Sequence, residues 1–260
     1  MQHIITPPNK RLVWYLSMEE YLAQHISDTE NPSSEGGGGE VRQESFFTWI
    51  VPPTVIFGRH QVMEDEVNMD YCRANGVQMY RRKSGGGCVY SDAGNLMLSY
   101  ITPDTRSEQV FQHYLDSVAG ALQQLGFSAA KSEHNDVLVG DRKVSGNACY
   151  ALPTGTIVHG TMLFDVDFAT LQQAITPSRE KLSKHGVQSV RQRVANLKDL
   201  KDPNVLNDLK AQAALSDIHA LSDYFISSFC TSSRTLTPEE ISAIDAIEQT
   251  YLSPSFIVGK

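Results

Sequence analysis

The segment Arg81–Asn95, RRKSGGGCVYSDAGN, places three cations and a serine before three consecutive glycines and ends in a turn rich in Asp, Gly and Asn. Because glycine has no Cβ, backbone N–H groups in such a segment can approach an anionic ligand closely. Arg82 adds a planar set of donors that suits a phosphate or a carboxylate. Taken alone, the segment is equally compatible with a glycine hinge between two strands. It matches neither the P-loop nor the dinucleotide-binding glycine pattern.

Apolar stretches on both sides of this segment predict strands and helices. Strands are predicted over 46–51, 54–57, 77–81, 88–90, 96–101, 136–139 with 143–144, and 156–164. Apolar spacing predicts helices over 17–27, 63–75, 107–125, 207–229 and 237–250. The strands alternate unevenly with the helices, without a regular βαβ repeat. This order favours an α+β fold with a mixed or antiparallel β-sheet flanked by helices.

Length and charge exclude several classes of protein. The 260 residues suit one large domain or two small ones, and no stretch approaches the roughly 20 apolar residues of a membrane-spanning helix. Lys and Arg number 22 against 30 Asp and Glu, and the net charge of −8 disfavours nucleic acid and membrane surfaces as partners. The N-terminal residues lack the features of a secretory signal, and four scattered cysteines suggest reduced thiols. We therefore expect a cytoplasmic protein.

Two segments suggest how the chain is organised. Residues 30–40 contain four consecutive glycines and no apolar residue, so we expect a mobile surface loop there. Residues 1–200 are expected to form the main domain, and residues 201–260 a helical extension packed on it. In that extension, Thr237 and Glu240 form the sequence pattern of a capping box at a helix start.

Two further segments carry candidate binding or catalytic residues. Lys143 follows a glycine turn and precedes small residues, so its ammonium could enter a narrow cleft, although a solvated hairpin tip is the commoner arrangement. Asp136 could hold a magnesium ion that bridges phosphates. In the strand over 156–164, period-two alternation puts His159 and Thr161 on one face and Val158, Gly160 and Met162 on the other. A lone strand histidine is more often structural than catalytic.

Together these segments resemble the lipoate-protein ligase A family, within the superfamily of biotin and lipoate ligases and octanoyltransferases. The matching stretches are RRKSGGGCVYSDAGN (81–95), NDV (135–137), GDRKVSGNA (140–148), HGTMLFD (159–165) and KLSKHGVQSVRQRVANL (181–197). They occur in order between about Phe46 and Leu197. The resemblance implies a class II biotin/lipoyl ligase-like catalytic domain over residues 1–200.

The resemblance also implies an activity and its partners. In this family, ATP and lipoate or octanoate give an acyl-adenylate and pyrophosphate, with magnesium, and a lysine of a lipoyl carrier domain then takes the acyl group. The implied acceptors are apo-lipoyl domains of 2-oxoacid dehydrogenase E2 subunits or the glycine cleavage H protein. Residues 201–260 are too short for the family's accessory domain, so a separate accessory-domain protein is a further expected partner.

The family pattern assigns roles residue by residue. Lys143 is the expected catalytic residue, and Asp136 the expected magnesium ligand. The residues expected to bind the acyl-adenylate are Arg82, Ser84, Gly85, Gly86, Gly87, Asn95, His159, Gly160 and Thr161. Strand alternation suggests that Val89, Val144 and Met162 line a tunnel for the acyl tail. The chain departs from the family at Ser91, where a histidine is frequent, and at Val158, where a histidine pair is frequent.

Two other functions stay open at this point. An octanoyl or lipoyl transferase would carry the acyl group as a cysteine thioester, and Cys88 or Cys149 could supply the thiol. A non-catalytic acyl-adenylate binding protein would keep the same pocket. ATP-dependent release of pyrophosphate separates the ligase from the transferase.

Overall fold

The structure is a computed structural model, and it describes residues 1–26, 43–175, 194–200 and 207–259. The predicted loop over 30–40 and most of the matching stretch 181–197 lie outside the described residues. Among the described residues, no helix has the length and apolarity needed to cross a bilayer.

Strands and helices alternate unevenly along the chain. The strands are β1 (Gln2–Ile5), β2 (Ser45–Trp49), β3 (Thr54–Phe57), β4 (Gln78–Arg81), β5 (Val89–Ser91), β6 (Asn95–Thr102), β7 (Ala129–Lys131), β8 (Asp136–Val139), β9 (Arg142–Leu152), β10 (Gly155–Leu163) and β11 (Ser232–Thr235). The helices are α1 (Leu12–Gln24), α2 (Met63–Glu66), α3 (Met69–Ala74), α4 (Ser107–Gln124), α5 (Phe168–Ala174), α6 (Leu209–Ala214), α7 (Ile218–Phe229), α8 (Pro238–Leu252) and α9 (Pro254–Val258), with a 3₁₀ turn at Leu197–Asp199.

The described strands form two sheets. The larger has the order β11-β1-β2-β6-β10-β9-β8-β7, and the smaller has the order β4-β3-β5. Strand β1 pairs in parallel with β2 and β11, and β3 pairs in parallel with β4, whereas the other pairs are antiparallel. The predicted α+β fold with a mixed sheet flanked by helices is therefore confirmed.

Helices cover both faces of the larger sheet. On one face, α4 presents its apolar stripe to the sheet, and α7 packs into the same hydrophobic cluster. On the other face, α1 lies between the sheet and α8, so 11 of its residues are buried. This double cover explains why the prediction for α1 begins five residues late: residues 12–16 are apolar on every side and show no helical period.

Two helix predictions are wrong because each spans a capping residue. The helix predicted over 63–75 is divided into α2 and α3, since the Asn68 side chain accepts a hydrogen bond from Tyr71 N at 3.1 Å and begins a new helix. The helix predicted over 207–229 is divided into α6 and α7, because Asp217 caps the backbone N–H groups of His219 and Ala220. The capping box at Thr237 and Glu240 is confirmed.

Three strands, β1, β7 and β11, are absent from the sequence prediction. Each has at most four residues, and β11 is the polar stretch Ser-Ser-Arg-Thr. Such strands form through pairing with neighbours and carry little apolar signal of their own.

Leu115 lies at the centre of α4 and is fully buried beneath the larger sheet. Replacing it with alanine should lower the free energy of unfolding by about 3 kcal/mol, because a cavity replaces packed methyl groups. Urea denaturation measures this change. Gln112→Ala on the exposed face of the same helix is the control, and an equal loss there would contradict the assigned orientation of α4.

Candidate active site

A cavity of about 300 Å³ lies where the glycine loop, defined as residues 82–88, meets β9 and β10. One wall is apolar and consists of Leu16, Ile56, Val89 and Met97. The polar wall includes His134, Asn135, Asp136, Lys143, Asn147 and Thr161. The lining of the cavity therefore has an apolar part and a charged part.

Lys143 reaches the cavity because of a bulge between β8 and β9. Lys143 pairs with Leu138 and Ser145 pairs with Val137, which leaves Val144 as the extra residue. A bulge of this kind changes the direction of neighbouring side chains. The Lys143 ammonium lies 2.7 Å from Asp136 Oδ1, so a cation and a carboxylate face each other in the polar wall.

The strands β9 and β10 separate beside this ion pair. Their pairing ends at Gly160 and Asn147, and the Thr161 hydroxyl then bonds to both the N–H and the carbonyl of Gly146, at 3.1 and 3.3 Å. A Cβ on Gly146 would lie 2.8 Å from Lys143 Nζ. The glycine therefore leaves the space that the lysine side chain occupies.

The Arg82 side chain holds the glycine loop from inside. Its Nη2 donates to the carbonyls of Gly85 at 2.6 Å and Gly87 at 2.8 Å, and its Nη1 donates to Ile56 O at 3.2 Å. Burial lowers the pKa of Arg82 to about 10, so the guanidinium stays protonated at neutral pH. In this arrangement Arg82 shapes the loop that forms the cavity wall.

The centre of the loop requires glycine. Gly86 has a φ of +90°, a conformation that strains residues with a Cβ, and a Cβ there would lie 3.0 Å from Arg82 Nη2. A Cβ on Gly58 would lie 2.2 Å from Gly86 O, so the chain after β3 also passes close to the loop. Gly85, in contrast, has open space around the position of a Cβ.

A buried series of hydrogen bonds joins the loop to α1. Arg82 Nε donates to Ser84 Oγ at 3.0 Å, and Ser84 Oγ lies 2.8 Å from His159 Nε2. His159 Nδ1 lies 2.8 Å from Glu19 Oε2. Because an arginine nitrogen can only donate, the assignment that satisfies each atom has Ser84 donating to Nε2 and His159 Nδ1–H donating to Glu19.

The series continues past Glu19 into the sheet. Ser99 donates to Glu19 Oε1 at 2.5 Å, and Trp49 Nε1 donates to Ser99 Oγ at 2.8 Å. Glu19 is only 2% exposed, and a buried carboxylate needs such partners. Both of its oxygens are thus satisfied, one by Ser99 and the other by His159.

The two cations beside Arg82 contact other parts of the protein. Lys83 Nζ lies 2.6 Å from Glu20 Oε2, and the Tyr251 hydroxyl donates to the same carboxylate at 3.2 Å. Arg81 donates to the carbonyls of Gly58, Arg59, Gln61 and Ile257. Through these contacts, α8 and the end of α9 support the start of the glycine loop.

Comparison with known proteins identifies the family. The sequence model of the lipoyl protein ligase A/B catalytic-domain family matches residues 13–218. The chain belongs to the lipoyl protein ligase A/B catalytic-domain family. Lipoate–protein ligase 1 of Staphylococcus aureus is 35% identical over 198 residues, which are 75% of this chain and 56% of that protein. Lipoate-protein ligase LplJ of Bacillus subtilis is 34% identical over 74% of this chain and 55% of its own length.

Solved structures show the same fold. A bipartite lipoate protein ligase from Thermoplasma acidophilum, described with its E2 lipoyl domain, is 26% identical with a TM-score of 0.74, and the match covers 99% of this chain and 96% of that one. A lipoate-protein ligase A with bound ATP is 23% identical with a TM-score of 0.74, over 99% and 98% of the two chains. The chain spans little more than half the length of the two bacterial relatives.

Most of the residues expected from the ligase pattern lie in the cavity wall, and some do not. Those in the wall are Arg82, Gly86, Gly87, Val89, Asp136, Lys143, His159, Gly160 and Thr161. Ser84 and Gly85 do not line the cavity; Ser84 is buried, Gly85 is exposed, and both accept hydrogen bonds from Arg82. Asn95 is fully buried, donates to Ser91 Oγ at 3.0 Å and is not among the residues that line the cavity, so its expected place at the pocket stays a prediction.

Strand alternation separates His159 and Thr161 from Val158 and Met162 on β10, although Gly160 also lines the cavity, and it places the acyl tunnel partly wrongly. His159 and Thr161 face the cavity, whereas Val158 and Met162 lie in the core beneath α4. Val144 belongs to the same core cluster. The apolar wall is instead formed by residues of α1, β3, β5 and β6, because the cavity lies on the face of the larger sheet that α1 covers.

Sequence reasoning missed Glu19, Met97 and Asn147. Glu19 is acidic in an apolar helix, and this contrast is the one signal that could have singled it out. Met97 lies in a strand buried on both faces, where apolar residues show no alternation. Asn147 was present in the quoted motif, but nothing in the sequence indicates what its amide contacts.

Gly86→Ala should lower the free energy of unfolding by about 1–2 kcal/mol, because alanine is strained at a positive φ. Gly85→Ala is the matched control, since a methyl group there meets no atom, and its unfolding free energy should equal or slightly exceed that of the wild type. Urea denaturation of both variants gives the comparison. Equal losses at the two positions would contradict the loop conformation.

Proposed function

We propose that this chain is the catalytic part of a lipoate-protein ligase. It would activate lipoate or octanoate with ATP to form an acyl-adenylate, and transfer the acyl group to a lysine of a lipoyl carrier domain. The observation that carries this proposal is the cavity, whose lining has an apolar part and a charged part with the paired Lys143 and Asp136. An acyl chain ending in a carboxylate has the same two-part character.

The apolar wall suits the hydrocarbon part of the acid. Met97 and Leu16 are contributed by β6 and α1, both of which are held by Glu19 and its partners. These bonds hold α1 against β6 and so fix the distance between Leu16 and Met97. His159 closes one side, with its ring fixed by Glu19 and Ser84.

Lys143 would act at the charged end. As the carboxylate attacks the α-phosphorus, pyrophosphate leaves and negative charge builds on the phosphate oxygens. An ammonium fixed beside them stabilises that charge more than it stabilises the starting carboxylate. Asp136 holds the ammonium in place before substrate enters. In the second step the acceptor amine attacks the acyl carbon and AMP leaves.

ATP would lie with its phosphates at the Lys143 end of the cavity. Magnesium usually takes one or two carboxylates and completes its coordination with water and substrate phosphates, so Asp136 fits as a protein ligand. Among the described residues, no group of three or more His, Cys, Asp and Glu could hold a metal without substrate. Bound magnesium would neutralise part of the phosphate charge.

The partners follow from the same chemistry. The acceptor would be an apo-lipoyl domain, of a 2-oxoacid dehydrogenase E2 subunit or of the glycine cleavage H protein. The Thermoplasma acidophilum relative is described as bipartite, and its match covers nearly the whole of both chains. We therefore also propose that a separate accessory-domain protein assists the adenylation step.

The thioester transferase is the second candidate, and burial argues against Cys149 as its nucleophile. Burial raises the pKa of the Cys149 thiol to about 11, so the thiolate is scarce at neutral pH. Burial also raises the pKa of Cys230 to about 11 and that of Cys72 above its usual value. Cys88 lies in the cavity wall and is the cysteine that a transferase would use.

Lys143→Ala should reduce acyl transfer by about a hundredfold or more, because the fixed positive charge at the phosphate is lost. The assay combines the protein with ATP, magnesium, lipoate or octanoate and an apo-lipoyl domain, and reads the acceptor by intact mass. A parallel reaction starts from synthetic lipoyl-adenylate, so that a missing accessory protein does not hide transfer.

Lys131→Ala is the control for this variant, because Lys131 pairs with Asp116 on the surface, away from the cavity. It should retain wild-type turnover. A folded Lys143→Ala protein with near-wild-type turnover in both reactions would refute the assigned role of Lys143.

Cys149→Ser should leave acyl transfer within about twofold of the wild type, since a mixed anhydride needs no thiol. Cys88→Ser tests the cysteine in the cavity wall in the same assay. Loss of transfer in either variant, together with an acyl thioester on the wild-type protein by intact mass, would favour the transferase.

A further inference from the structure

Asn147 lies in β9 opposite Gly160 of β10, at the end of the cavity that contains Lys143. Its Nδ2 donates to the backbone carbonyl of Asn135 at 3.1 Å. Its Oδ1 accepts from the Ser145 hydroxyl at 3.2 Å. The first bond orients the amide, because a backbone carbonyl only accepts and must therefore face the Nδ2, and the Ser145 hydroxyl then donates to the Oδ1.

The segment that Asn147 reaches is a tight turn before β8. Asn135 has a φ of +65°, in the left-handed region that few residues other than glycine adopt. Within the turn, Ser132 Oγ accepts from the N–H groups of His134 and Asp136, at 3.1 and 3.2 Å. Asn147 adds a bond from another strand and so fixes the turn relative to the sheet.

Gly160 provides the space for this amide. A Cβ on Gly160 would lie 1.9 Å from Asn147 Oδ1, which no side chain could tolerate without displacing the amide. The absence of a side chain at Gly160 is therefore explained mainly by Asn147, since the other close atom, Tyr114 Oη, lies at 3.0 Å. Gly160 was expected to contact the acyl-adenylate, and this packing gives it a second role.

We propose that Asn147 is a positioning residue, which holds the turn over residues 132–136 so that Asp136 faces Lys143. Asp136 directly follows the residue whose carbonyl Asn147 binds, and its carboxylate lies 2.7 Å from Lys143 Nζ. A shift of the turn would therefore move the carboxylate and release the ammonium from its place. This role rests on the proposed function, because Lys143 is the group being placed for acyl activation.

The test compares Asn147→Ala with Asn75→Ala. Asn75 is an exposed residue whose Nδ2 also donates to a backbone carbonyl, that of Tyr71 at 2.9 Å, so the two variants lose the same kind of bond. Amide hydrogen exchange of the peptide covering 132–136 should become about five- to tenfold faster in Asn147→Ala only. In the same variant, kcat should fall about tenfold while KM for lipoate stays within about twofold, because the apolar wall is intact.

A second pair of variants tests the coupling to Gly160. Gly160→Ala should reproduce both effects, since its methyl group displaces the amide. In the Asn147→Ala background the same change should add little, and this non-additivity is the signature of a shared contact. Additive losses would show that Gly160 acts independently of Asn147.

Other outcomes separate this role from the proposed function. Unchanged exchange of the turn in Asn147→Ala, in an enzyme whose wild type is active, would overturn the positioning role alone. A raised KM for lipoate with unchanged kcat would also overturn it, because Asn147 would then contact the acid. A wild-type protein without acyl transfer from synthetic lipoyl-adenylate would overturn the proposed function, and the role of Asn147 with it.

Discussion

The Glu19 carboxylate lies between α1 and the larger sheet, and a charge so deeply buried persists only if neighbouring groups satisfy both oxygens. Ser99 on β6 satisfies one oxygen, and His159 on β10 satisfies the other. Because Glu19 is on α1, these bonds set the position of the helix over the sheet. His159 also bonds to Ser84, so the position of α1 is transmitted to the glycine loop.

Strand β10 connects the two ends of the cavity. His159 bonds toward the glycine loop, and Thr161, two residues later on the same face, bonds to Gly146 where β9 leaves β10. Residues two apart on a strand are about 7 Å apart, so one rigid strand sets the distance between the apolar and the charged parts of the lining. The separation of the strands at Gly146 creates the opening that Lys143 enters.

The sequence allows the central strands and the family to be predicted, because apolar strands and ordered motifs are local signals. It could not place the edge strand β11 and its neighbour β1, which depend on parallel pairing between distant segments. Within the site, alternation is enough for His159 and Thr161, since a strand has only two faces. Alternation does not help with Asn95, which is polar and yet fully buried. It does not help with Glu19 either, because α1 is covered on both sides and its apolar residues show no period that would mark one face.

Three consecutive cations precede the glycines, and each contacts the protein itself. Arg81 binds four backbone carbonyls, Arg82 binds the loop, and Lys83 pairs with Glu20. Arginine suits the first two positions because its planar fork satisfies several acceptors at once. Since these donors are already directed at carbonyls and carboxylates, the cations of the glycine motif act mainly by holding the cavity wall. Among the described residues of that wall, Lys143 is therefore the cation to which the proposed function assigns a substrate phosphate, because its partner is a single side chain, Asp136, and not the backbone of the wall.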